Sequence, residues 1–145
     1  MTYEEHEERG REKFERNCKL PHTFTNQSDK WDVSTTGHDN TFNIEIKDRD
    51  IPYTKYAEEG YWLEKIKYDA LMQAFSKTGS LPIYLNYFQD NIGIYWKLSA
   101  LDTTKIKWVQ RYATKSTAEG TYGAERVLKT VMFLLPDDGR KFKYE

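Results

Sequence analysis

The chain has 145 residues, 38% of them hydrophobic and 31% charged, with a formal net charge of −1; this composition excludes a disordered chain and a protein that coats nucleic acid through many phosphate contacts. Its single cysteine, Cys18, excludes an internal disulfide, and its strongly charged first twenty residues lack the apolar run of a secretory leader. No apolar stretch reaches the ~18 residues that span a bilayer, so the expectation is one soluble domain over residues 1–145, in the cytoplasm.

The first predicted element is a helix over residues 3–18, with Tyr3, Gly10, Phe14 and Cys18 on one stripe and charge elsewhere. Pro21 stops it, and residues 22–25 read as a short strand. Residues 31–35 and 41–47 read as two strands joined by the turn-rich Gly37-His38-Asp39-Asn40, hence a hairpin. A second helix is predicted over residues 62–77, carrying Leu63, Ile66, Ala70, Leu71, Ala74 and Phe75 at helical spacing, with Gly79 and Pro82 closing it. Residues 81–88 and 92–98 form another expected hairpin; 106–112 and 127–135 are further strands, 118–126 a loop or short helix, and the tail from Asp137 is polar. The order helix, three strands, helix, then strands defines an α/β layer architecture.

Chemistry concentrates at Trp31-Asp32-Val33 and, thirteen residues after Asp32, at Ile44-Glu45-Ile46-Lys47. Strand side chains repeat every second residue, so Glu45 and Lys47 share one face while Ile44 and Ile46 pack on the other, and the hairpin can bring Asp32 beside them. Two carboxylates suit a hard divalent cation such as Mg²⁺, which keeps waters and takes phosphate oxygens as its remaining ligands. The bland alternative is a cross-strand salt bridge of Lys47 with Asp32 or Glu45. Glu45-Ile46-Lys47 is the only Asp/Glu-x-Lys tripeptide in the chain.

These residues, in this order of elements, resemble the PD-(D/E)XK nuclease superfamily of restriction enzymes, Holliday-junction resolvases and phage recombination nucleases. The resemblance covers about residues 3–98 and departs from the pattern in having no Pro before Asp32. It implies a restriction-endonuclease-like core, a central mixed sheet flanked by helices in the order α-β-β-β-α-β. It also implies that Asp32 and Glu45 bind Mg²⁺ or Mn²⁺ with the carbonyl of Ile46, that Lys47 is the catalytic lysine, and that an acid on the first helix helps: Glu15, with Glu12 and Glu8 as competitors.

Lys67 falls near the middle of the second helix's apolar stripe, where it either snorkels to the edge or meets carboxylates or phosphate; by resemblance it contacts DNA. Tyr56 and Tyr68 offer hydrogen bonds or stacking to DNA, or else belong to the core. Lys107 and Arg111 lie in a stretch, residues 97–115, with five basic residues against Asp102, either a polyanion-facing surface or a solvated one. The expectation that follows is a metal-dependent DNA endonuclease of recombination or repair, phage- or mobile-element-encoded and acting as a homodimer. Its rival is a catalytically silent nucleic-acid-binding or protein-interaction module on the same fold.

Overall fold

The computed structural model of the chain describes residues 2–26, 30–114 and 126–145. Helix α1 spans Tyr3–Asn17 and opens with a capping box, Thr2 accepting from the Glu5 N–H while Glu5 accepts from Thr2. Strands β1 (His22–Phe24), β2 (Val33–Gly37) and β3 (Asn40–Asp48) follow as an antiparallel meander. His38 and Asp39 both adopt positive φ, 52° and 65°, the pair of left-handed residues that a two-residue type I′ hairpin turn requires.

The expected second helix is shorter than its periodicity suggests. Residues Tyr61–Glu64 are a strand, β4, and helix α2 spans Lys65–Thr78, ending on Gly79 at φ 77°. Tyr61 and Leu63 are buried against Leu134 and Met132 of a distant strand, and a short apolar segment follows its partner rather than its local period. Ile66, counted with the apolar stripe, is 75% exposed, and of the helix only Leu71 is fully buried.

β5 (Leu81–Tyr87) pairs with β3 in parallel, and β6 (Ile92–Lys97) returns antiparallel. β7 (Val109–Thr114) and β8 (Arg126–Leu134) join β4 in a three-stranded sheet of order β4-β8-β7. The polar tail contains a further strand, β9 (Arg140–Lys143), which completes the six-stranded mixed sheet β1-β2-β3-β5-β6-β9. The expected loop at residues 118–126 lies outside the described residues except for Arg126, which begins β8.

Two apolar cores lie about the large sheet. On one face Phe14 of α1 packs with Ile44, Ile46, Ile83, Leu85 and Tyr87; the other core joins Tyr84 and Trp96 to Leu71 of α2 and to Leu63, Met132 and Leu134 of the small sheet. α1 is also fixed by charge. The Asp48 carboxylate, 0% exposed, receives Lys13 Nζ at 2.6 Å and His6 Nδ1 at 2.9 Å, with Arg9 Nε at 3.6 Å. Lys13 also donates to the Tyr144 hydroxyl, at 3.1 Å, which ties the residue after β9 to the same point.

Gly93 shows how β9 is seated. It pairs with Phe142, and a methyl group at position 93 would overlap that ring. Gly93→Ala is therefore expected to cost about 1–3 kcal/mol, read as a lower urea midpoint with unchanged slope; a midpoint equal to wild type would show that Phe142 does not hold this position. Among the described residues no helix is long and apolar enough to cross a membrane.

Candidate metal and phosphate site

Asp32 stands just before β2, where the β2–β3 ladder would place it opposite Glu45. Its backbone continues the ladder by donating to the Ile44 carbonyl at 3.0 Å, but its side chain turns back and Oδ2 accepts the Ile46 N–H at 2.7 Å. The carboxylate thus ends the ladder. On an extended strand the N–H and C=O of one residue point to the same side, so the Ile46 carbonyl also faces the side on which β2 has ended.

Glu45 is the hub of the site. It projects from the face of β3 opposite Ile44 and Ile46, its side chain is 14% exposed, and Oε2 lies 3.8 Å from Lys67 Nζ on α2. Its other oxygen, Oε1, is buried and has no hydrogen-bond partner among the described residues. Burial pushes the Glu45 carboxyl well above the usual carboxylate range, and the neighbouring Asp32 carboxylate pushes it the same way, against Lys67 and Lys47.

Lys47, two residues on, shares this face and lines the same pocket of about 300 Å³ with Glu45, Lys67, Tyr84, Trp62 and Tyr3. Burial and the nearby Arg49 lower its ammonium below the usual lysine range, while Glu45 and Glu64 oppose them. Lys47 Nζ sits 5.6 Å from the Tyr3 ring centroid, so the first turn of α1 covers one side of the pocket.

The first helix contributes other residues than the expected one. Glu15 does not reach the site: it is 63% exposed, and Oε2 meets His22 Nε2 at 2.5 Å. The α1 residues that do approach are Tyr3 and Arg11, whose Nη2 lies 3.5 Å from Asp32 Oδ1. Tyr3 begins the stripe that buries Gly10 and Phe14, and Arg11, about 80° round the helix from Tyr3, flanks that stripe. Sequence periodicity placed Tyr3 on the packed stripe and gave no sign that Arg11, beside it, would reach Asp32.

The expected DNA-contacting tyrosines are placed elsewhere. Tyr68 packs edge-on against Trp108, with ring centroids 5.3 Å apart, beside the core of the small sheet. Tyr56 packs on Tyr61 in a separate pocket. Arg111 lies on β7 with its guanidinium 5.6 Å from the Phe133 ring, and Lys107 is exposed just before β7. Two pocket residues escaped sequence reading: Glu64, which precedes α2, and Lys129 on β8, paired at 2.6 Å. They meet only because β4 and β8 are neighbours.

Among the described residues no three His, Cys, Asp or Glu side chains converge. A cation here would therefore rest on two carboxylates and a carbonyl, which is the sparse protein ligation that Mg²⁺ accepts. The buried, partnerless Glu45 Oε1 beside a second carboxylate fits such an ion. No protein-family model, curated protein or solved structure matches the chain.

Proposed function

We propose that the chain is a metal-dependent nuclease that hydrolyses DNA phosphodiester bonds on a restriction-endonuclease-like core. The carrying observation is Glu45: a largely buried carboxylate with an unpartnered oxygen, set against the Asp32 carboxylate and flanked by Lys47 and Lys67. Such an arrangement costs folding free energy, and functional sites are where costs of that kind concentrate. The element order α1, β1–β3, α2, β5, with β3 and β5 parallel, agrees with the proposed core; β4 is an insertion before α2.

Asp32, Glu45 and the Ile46 carbonyl would hold Mg²⁺ or Mn²⁺. The bound ion would supply Lewis acidity, lowering the pKa of a water and neutralising charge on the phosphoryl oxygens. Lys47 offers an ammonium at the same pocket, where it stabilises the oxygens that gain charge as water attacks. Lys67 balances Glu45 and contacts a phosphate oxygen. Tyr3 shields the Lys47 side from bulk water. A homodimer would present two such sites related by two-fold symmetry.

A silent binding module is the second reading, favoured by the cations Arg11 and Lys67 that already stand near Asp32 and Glu45. One experiment separates the two. Supercoiled, linear, branched and single-stranded DNA are incubated with wild type, Asp32→Asn and Lys47→Ala in Mg²⁺, Mn²⁺ or EDTA. The nuclease reading expects cleavage with metal only, a loss of about 10²–10³-fold in each variant, and a Mn²⁺-dependent rise in wild-type Tm that Asp32→Asn lacks. Absence of cleavage, together with a Tm indifferent to metal, overturns it.

A further inference from the structure

The small sheet carries a second pocket next to the first. By alternation, Trp62 on β4, Lys129, Val131 and Phe133 on β8, and Arg111 on β7 share one face, since Trp62 pairs with Phe133 and Arg111 with Lys129. Trp62 lines both pockets. Lys129, on one side, belongs to the pocket of Glu45 and Lys47; Arg111 and Phe133, on the other, belong to a pocket of about 350 Å³ that Arg49 and Tyr56 also line.

The chemistry of this second pocket is aromatic and cationic. The Trp62 and Phe133 rings stand 6.5 Å apart at 38°, and the Arg111 guanidinium lies over Phe133. Among the described residues the Arg111 guanidinium has no acidic partner, and it donates to the neighbouring Gln110 carbonyl. Arg49 is held in place by Asn86, by the Tyr84 hydroxyl at 3.1 Å and by the Trp62 carbonyl at 3.3 Å. Glu59 is the one acid lining this pocket among the described residues. Tyr84 in turn pairs with Glu45 across β3 and β5 and donates to the Trp62 carbonyl at 3.0 Å, so one hydrogen-bonded connection joins the two pockets.

Resting on the nuclease reading, we infer that the Trp62–Phe133–Arg111 pocket takes one unpaired nucleobase of the strand being cut, making single-stranded DNA or an unpaired end the substrate. A flat π-face between aromatic rings and a guanidinium is the surface on which unstacked bases bind without sequence preference. A base inside a duplex is stacked on both faces and cannot enter such a pocket without unpairing. With a phosphate at Lys47 and Lys67, the strand runs past Trp62, and the adjoining base meets the ring pair.

The test is equilibrium binding by fluorescence anisotropy in EDTA, with a labelled 15-nucleotide single strand and the same sequence as a blunt duplex. Wild type is expected to bind the single strand at least about tenfold more tightly. Trp62→Leu should weaken single-strand binding by about tenfold and leave duplex binding unchanged. Arg111→Gln, an exposed position that leaves the fold intact, should weaken it too and reduce the salt slope by about 0.7.

Equal binding of strand and duplex, or Trp62→Leu and Arg111→Gln proteins that bind like wild type, overturns the inference. Hydrolysis of the same oligonucleotide is measured in parallel. Hydrolysis that needs Glu45 while binding ignores Trp62 and Arg111 sinks the base pocket alone. Binding that needs Trp62 and Arg111, with no hydrolysis under any metal, sinks the nuclease reading alone.

Discussion

Glu45→Gln is expected to abolish metal-dependent cleavage, by about 10²-fold or more, and at the same time to raise the Tm of the metal-free protein by a few degrees at pH 8. The second half follows from linkage. Glu45 has its folded pKa raised above the unfolded value, chiefly by burial. The stability it contributes is full below the ordinary carboxylate range and is lost as pH rises through the folded pKa. At pH 8, well above the ordinary carboxylate range, burying this carboxyl is therefore a cost that the neutral amide removes, and at pH 4 the advantage should vanish. Melts of both proteins in EDTA across this range are the check; a variant less stable than wild type at pH 8 would mean that Lys67 and Lys47 more than compensate the buried charge.

Asp48→Ala is expected to have the opposite character, a large loss of stability. The carboxylate is fully buried and answers Lys13, His6 and Arg9 together. Its removal leaves a mostly buried ammonium on Lys13 without its charge partner, a situation that costs about 3–5 kcal/mol. For a chain of this size that corresponds to a Tm lower by roughly 10 °C. Lys13→Met in the same background should recover part of the loss, because it removes the stranded cation. A drop below about 1 kcal/mol would show that Asp48 behaves as a surface ion pair and that apolar packing of Phe14 alone holds α1.

What the sequence made legible is what local period controls. Alternation along residues 41–47 put Glu45 and Lys47 on one face, and they line one pocket there, with the Asp32 carboxylate brought near Glu45 through the hairpin. The 100° spacing of a helix turned Lys67 inward, and its ammonium does meet a carboxylate. What local period does not control was hidden. Which α1 residues reach the site, Tyr3 and Arg11 rather than Glu15, depends on how α1 crosses the sheet. Trp62 and Leu63 fit a helical pattern as well as a strand, and only β8, some seventy residues away, decides between them. The strand β9 is unreadable in Arg140-Lys141-Phe142-Lys143 because at the edge of a sheet backbone pairing needs little apolar content.

The turn of the Asp32 side chain onto the Ile46 N–H has a practical corollary for anyone mutating this position. The same carboxyl serves as both charge and splint. Alanine would strip away the acceptor along with the anion, letting the mouth of the hairpin fray and the Ile46 carbonyl swing free. Asparagine keeps an oxygen for that amide and deletes only the charge. The gap between the two substitutions therefore separates an electrostatic loss from a mechanical one at a single residue.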